Sequence, residues 1–422
     1  MTPDTELENR RRVLFLNRSY WPDAEATGQL LTELCEDLTE VFDVAVVCGQ
    51  PNKNPGNVEF KRSGMEMHGG VEIHRVFNLQ LPKSSFIGRL TNFFSYMTTS
   101  CLRAMFVRRP DVVIVETDPP LLCFLGLLLR WRFKAVLVMY LQDIYPDVAL
   151  KLGKLRYGMA YRIIRRLMHS AYRRADRLVV LSEDMRDMLL AIGVPSERIS
   201  IIPNWVDTNL VYPVKEKNAF RERHRLGNDF VVMYSGNLGM SQRLEHFLDA
   251  AHLLKEEKGI RFLLVGDGAT KAELIAYAEK LDVKNVTFLD YQPKSELAIS
   301  LSAADMHFVV LDPTIAGYLM PSKIYGILAA GTPMLASTID QCELARLVRE
   351  GDVGYVVAFG DPEAIAERIH WSAAHRDELL EMGERARQLA VEQYDRSYIT
   401  RTFGELLLAL TCDHRISTAD KS

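Results

Sequence analysis

The residues best placed to do chemistry lie in a stretch punctuated by glycine and proline, residues 312–337, DPTIAGYLMPSKIYGILAAGTPMLAS. The apolar run 308–311 predicts a buried parallel strand that empties into a loop containing Gly317. Pro321 suits the first turn of the next helix, because its missing N–H has no intrahelical partner there. That helix is predicted over 322–330, stops at Gly331, and hands on to a strand at 333–337. Free amides at Ser322 and the helix dipole both favour an anion such as phosphate, and Lys323 in the first turn adds a full positive charge. The alternative is an ordinary strand–helix joint carrying a surface lysine.

Three more strand ends carry related signals. Residues 234–239, YSGNLG, include Gly236 and Asn237 and open a helix predicted over 241–254, with Arg243 in its first turn. Residues 265–268, VGDG, present Asp267, and residues 288–293, FLDYQP, offer a backbone edge with Tyr291 and Gln292 to receive a flat base. Glycine turns at strand ends are common, so no one of these loops is specific alone. All four fall in one half of the chain and in one order, and that grouping favours a nucleoside diphosphate.

Elements that position these loops alternate along the whole chain. In the first half, strands are predicted at 13–17, 44–48, 71–77, 111–115, 135–140, 177–181 and 199–202, with helices at 27–39 and 87–106 and a polar loop at 50–57. The second half repeats the rhythm, with strands at 230–234, 261–265, 286–289, 306–311, 333–336 and 354–357. Near-continuous Val/Ile/Leu runs separated by helices indicate parallel sheets covered on both faces. The expected architecture is α/β, with two doubly wound Rossmann-like domains facing a cleft and ligands at the carboxyl ends of the strands. The predicted divisions are an acceptor-side domain at 1–203, a linker at 204–229, a nucleotide-sugar-binding domain at 230–390, and a segment 391–422 whose helix returns to the first domain.

Composition narrows the class. The chain has 422 residues, 48% apolar and 25% charged, long enough for about two cores and too apolar for wholesale disorder. A net charge of −4 argues against nucleic acid as a partner. The first twelve residues are polar, so no secretory signal is expected, and a cytoplasmic location follows. Cys35, Cys48, Cys101, Cys123, Cys342 and Cys412 show no metal-ligand spacing, and no HxH, HExxH or Asp-x-Asp pattern occurs. No metal site is therefore expected. The apolar run 121–129 is too short to span a bilayer and reads as a core helix. The segment 151–177, from Lys151 to Arg177, carries nine Lys/Arg against one acid, Asp176, with Leu, Met, Ile and Tyr between them. It suits an anionic inner membrane face, or else it is a solvated helix face.

On these residues the chain resembles the GT-B glycosyltransferases of family 4, especially the bacterial surface-polysaccharide branch of fucosamine- and colanic-acid-type transferases. The markers are residues 20–28 (YWPDAEATG), 141–147 (LQDIYPD), 202–208 (IPNWVDT), 234–239, 264–268 and 321–333 (PSKIYGILAAGTP). The resemblance implies retaining sugar transfer from a nucleotide-sugar without metal or other cofactor; the base is left open between uridine and guanosine, and the basic segment 151–177 is the reason to expect a lipid-linked saccharide acceptor. Lys323, Arg243 and the amides around Gly236 and Ser322 would stabilise the leaving diphosphate. Gly28 resembles the family's flexible glycine loop, or simply marks the start of a helix. Asp143 is an acceptor-side hydrogen-bond acceptor or base, or a helix cap.

Three departures from the family pattern involve four positions. Tyr318 and Gly326 stand where two glutamates are common, Asn237 where an arginine is frequent, and Gln142 where a histidine is often found. A different set of donor contacts is expected, Tyr318 among them. Two other readings share the fold: a nucleotide-sugar 2-epimerase, and a donor-binding pseudoenzyme.

Overall fold

The computed structural model describes residues 10–23, 25–51, 58–81, 86–214 and 216–419. The loop expected at 50–57 falls mostly outside them. The chain divides into two compact units, one of residues up to Pro203 plus Ser397 onward, the other Asn204–Arg396.

The first unit holds an eight-stranded sheet in the order β3-β4-β2-β1-β5-β6-β7-β8. Its strands are β1 (Arg12–Leu16), β2 (Asp43–Cys48), β3 (Gly64–His68), β4 (Val71–Arg75), β5 (Val112–Val115), β6 (Val136–Leu141), β7 (Arg177–Val180) and β8 (Ile199–Ile201). All pair in parallel except β3, which runs antiparallel to β4. Val13, Leu14, Val46, Val113 and Leu137 are fully buried, as strands covered on both faces require. The helix Arg396–Ala419 closes this unit. On it Phe403 and Leu407 are fully buried, the Phe403 ring lies 5.2 Å from that of Tyr140, and the Leu408 carbonyl accepts from Arg11 at 2.9 Å.

The second unit has a six-stranded, all-parallel sheet in the order β11-β10-β9-β12-β13-β14. Its strands are β9 (Phe230–Ser235), β10 (Ile260–Val265), β11 (Val286–Leu289), β12 (Met306–Val310), β13 (Met334–Thr338) and β14 (Gly354–Ala358). Phe247 stacks on Phe308 at 4.6 Å and meets Phe262 edge-on at 5.1 Å, tying the helix Glu245–Leu253 to β12 and β10. This is the strand order of a dinucleotide-binding fold, whose order reverses between β9 and β12. A crevice opens at such a switch point because the connections leave in opposite directions.

The expected linker at 204–229 is not one. Trp205, Val211, Phe220 and Leu226 are buried, and the segment belongs to the second unit. Its prolines and charges resemble linker composition, but its apolar residues pack beneath the sheet. Phe220 and Leu226 share a core with Val231 and Leu263.

Candidate functional site

The site is assembled at the carboxyl ends of β9, β10 and β12. After β9 the chain turns at Gly236, whose φ of 142° favours glycine. A Cβ on Gly266, after β10, would fall 1.9 Å from the Gly236 carbonyl oxygen, and one on Gly268 would fall 2.2 Å from that of Leu238. The two loops therefore touch backbone to backbone. Hydrogen bonds join them: Gly236 N–H donates to Val265 at 2.9 Å, and Leu238 N–H donates to the Asp267 carbonyl at 2.9 Å. Those two amides are consequently occupied, which corrects the expectation that amides around Gly236 face a ligand.

Lys323 opens the helix Lys323–Ala329. Its ammonium lies 3.6 Å from the centroid of the Tyr234 ring, and a Cβ on Gly236 would fall 2.9 Å from Nζ. Tyr234 is fully buried and held in place by donating to the Asn237 carbonyl at 2.7 Å. As a residue Lys323 keeps intermediate exposure, but no carboxylate pairs with it among the described residues, and desolvation pulls its pKa down to about 7. His307, fully buried on β12, stays neutral beside it, because burial, aided by Lys323, lowers its pKa to about 4. What stabilises the ammonium here is the face of an aromatic ring. An ammonium with a ring and no anion is poised to take one.

The other expected residues are distributed around this point. Asp267 is exposed and accepts from the Gly268 N–H at 2.9 Å. Tyr291 is about half exposed, with its phenol pKa raised by burial and by Asp267. Gln292 donates to the Asp290 carbonyl at 2.9 Å. Tyr318, half-buried, donates its N–H to Ile315 at 3.1 Å. Pro321 lies one residue before the helix cap, Ser322, rather than in the first turn, and its carbonyl accepts from Ile324 at 3.3 Å.

Arg243 is also displaced from its expected place. Residues Met240–Gln242 form a 3-10 turn, Arg243 follows with φ 43°, and the α-helix begins only at Glu245. The Arg243 side chain is exposed and makes no ion pair among the described residues. Gly28 lies not in a loop but inside the first turn of the helix Ala26–Leu38, buried, where a Cβ would fall 2.7 Å from Ser19 Oγ. Its role there is close approach of that helix to the chain after β1.

Asp143 follows β6 in the first unit. It does not cap the helix Asp147–Lys151, which lacks a side-chain cap. Burial raises its carboxyl pKa to about 6, with Lys154 opposing and Asp118 reinforcing the shift. Sequence reasoning missed Glu116, just past β5. It is 3% exposed, its Oε2 has no hydrogen-bond partner among the described residues, and burial holds it protonated well above the usual carboxylate range. A single glutamate after an apolar strand carries no pattern that marks it. Tyr234 was legible only as part of its motif, since its contact with Lys323 joins residues far apart in sequence.

Two doubly wound units, the second with an unneutralised lysine at its switch point, define the GT-B class of glycosyltransferase fold. Family models agree: a glycosyl transferase 4-like domain matches residues 26–205, and the glycosyl transferases group 1 domain matches 216–389. The chain belongs to the glycosyltransferases built from these two domains. It is 32% identical to the Pseudomonas aeruginosa glycosyltransferase-named protein WbjE over 62% of this chain and 66% of that one. It is 28% identical to WcaI of Escherichia coli (strain K12), which bears the name of a colanic acid biosynthesis glycosyl transferase, over 93% and 98% of the two chains. Among solved structures, sucrose-phosphate synthase from Thermosynechococcus elongatus superposes with TM-score 0.77 at 18% identity, covering 96% of this chain and 100% of that one. HepE from Anabaena, solved with UDP and glucose, superposes with TM-score 0.72 at 18% identity over 94% and 99%.

Proposed function

We propose that the protein transfers a sugar from a nucleoside-diphosphate sugar to a saccharide acceptor in surface-polysaccharide synthesis, with retention of configuration and without a metal. The observation that carries this reading is the Lys323 ammonium, desolvated and without a carboxylate partner at the switch point of the second unit. A diphosphate leaving group gains negative charge as the glycosidic bond breaks, and a preorganised ammonium opposes that charge most strongly where water is scarce. Arg243, whose side chain makes no ion pair among the described residues, is the second cation for the same oxygens. The Ser322 and Pro321 turn leads the chain to the lysine, and Asn237, Asp267 and Tyr318 line neighbouring loops. Tyr291 and Gln292 supply the surface for the base. UDP is the proposed nucleotide, supported by the HepE complexes, with GDP the alternative.

No protein nucleophile is required: the acceptor attacks the face that the diphosphate leaves, and the leaving phosphate accepts its proton. Asp143 is the candidate partner for the acceptor hydroxyl, ionised in most molecules at neutral pH given a pKa of about 6. The names of WbjE and WcaI support the polysaccharide context. The basic, partly apolar surface of residues 151–177 supports an acceptor linked to lipid and a peripheral place on an anionic inner membrane face.

Lys323→Ala tests the reading directly. Loss of one such contact lowers turnover about 100- to 1,000-fold in a chain that still folds. Wild-type turnover in that variant removes Lys323 from the mechanism. Incubating the wild type with donor alone separates transfer from epimerisation, since only an epimerase converts the donor unaided.

A further inference from the structure

Within the basic segment the fold builds a concave pocket rather than a flat charged face. It lies over Asp147 and has a volume of about 460 Å³. Its walls carry four guanidiniums, from Arg162, Arg165, Arg166 and Arg173. The one carboxylate present is Asp147, which is saturated from within: Tyr161 donates at 2.7 Å, Arg165 at 2.8 Å and His169 lies at 3.1 Å. Those donors hold its pKa far below the usual carboxylate range despite burial. Asp147 is therefore the floor that orients Arg165 and His169, and it neutralises only part of the pocket's charge.

Among the described residues the outer arginines have no acidic partner. Arg162 is oriented by Tyr157, whose phenol oxygen accepts from its Nε at 3.3 Å and whose ring lies 5.1 Å from its guanidinium carbon. Arg173 donates to a carbonyl, that of Ile192, at 2.9 Å. Arg166 makes no ion pair or hydrogen bond among the described residues. On the helix Met159–Tyr172, which carries Arg162, Arg165 and Arg166, the side chains of Met159, Ile163 and Leu167 are more than half exposed at one-turn spacing.

From this geometry we infer that the pocket is a receptor for a phosphomonoester or diphosphate group, presented by a lipid whose chains lie along the Met159, Ile163 and Leu167 edge. Several guanidiniums converging on one concavity match the multiple oxygens and double charge of such a group. A phosphodiester, with one charge and two free oxygens, satisfies fewer of them. The inference rests on the proposed membrane-facing acceptor, but it adds selectivity for the head group, which bulk attraction between a basic helix and anionic lipid lacks.

Flotation of the full chain with two vesicle types tests it. One contains phosphatidic acid, a phosphomonoester, in phosphatidylcholine; the other contains phosphatidylglycerol, a phosphodiester, at equal surface charge. Binding to the first at least tenfold stronger, competed by soluble diphosphate, and reduced to the phosphatidylglycerol level in Arg162→Gln/Arg166→Gln, is the expected result. Titration with soluble diphosphate alone separates the sources: binding that the double variant loses, without vesicle selectivity, assigns the pocket to a soluble phosphate and overturns the lipid. Equal binding to both vesicles, with no diphosphate binding that the double variant loses, overturns the pocket altogether. Both arginines are exposed, so the double variant keeps the wild-type unfolding temperature, and a Tyr157→Phe variant that weakens selectivity alone checks the orientation of Arg162. Diphosphate also meets Lys323 at the proposed donor site, so only the share of binding that the double variant loses is assigned to the pocket; that share and the vesicle selectivity are independent of turnover, so the pocket and the transferase reading fail separately.

Discussion

At the scale of single residues, the lysine over the tyrosine ring sets the pH behaviour. Its folded pKa of about 7 lies below the ordinary lysine value of about 10.4, so between these values the unfolded chain binds more protons. Stability consequently rises with pH across that window, and the slope disappears in Lys323→Met. Binding of a diphosphate has the opposite linkage, since an anion beside the ammonium raises its pKa. Calorimetry of UDP binding near pH 8, in buffers of different ionisation enthalpy, should show proton uptake that Lys323→Met abolishes, with affinity falling as pH rises above about 7. Binding without proton uptake would place the diphosphate away from Lys323. The lysine itself was legible from its place after a strand and a proline. Its desolvation was not, because that depends on Tyr234 and Gly236, which no local pattern connects to it.

At the scale of elements, the close approach of the loops after β9 and β10 determines where the lysine can sit. Gly266→Ala places a methyl group 1.9 Å from the Gly236 carbonyl oxygen at a φ of 150°, and should cost about 3 kcal/mol or more in urea unfolding. Gly326→Ala is the contrasting control. Its nearest neighbour is the Leu301 Cδ1 methyl at 3.3 Å, and helix propensity favours alanine by about 1 kcal/mol, so stability should stay level or rise. Equal effects in the two variants would mean that the loops are free to part.

The elements themselves were largely readable, since thirteen of the fourteen strands follow apolar runs of the expected length. The exception is β3, whose GMEMH sequence leaves Met65 and Met67 more than half exposed at the sheet edge. Edge strands need no buried face, so hydrophobicity does not mark them. The break at Arg243 was also invisible, because SQRLEH continues a helical pattern that the left-handed backbone at Arg243 interrupts.

For the molecule as a whole, charge and surface decide what it meets. Among the described residues no helix is long and apolar enough to cross a membrane, and no group of three or more potential ligands could hold a metal ion. Transfer is expected to survive EDTA at wild-type rate, with the two cations and the ring-held geometry neutralising the diphosphate. Loss of activity that Mg²⁺ restores would reveal a metal requirement. UDP at 100 times its Kd should add about 2.7 kcal/mol of stability, read as a thermal shift that ADP does not match. Association with anionic vesicles should weaken with salt and collapse in Ile163→Ser/Leu167→Ser/Arg166→Glu, whose wild-type side chains are exposed together on one helix. Retention of that variant on vesicles would exclude the helix as the membrane face.

The helix Arg396–Ala419 has a consequence for how the protein is made. It belongs to the first unit, yet the entire second unit is translated before it. On a ribosome the first sheet therefore emerges early with the surface beside Tyr140 bare, and waits for Phe403 and Leu407 to arrive as its lid. The second unit suffers no such delay, because its residues are contiguous. Nascent chains should thus acquire a finished second unit before a finished first one, an order opposite to that of synthesis.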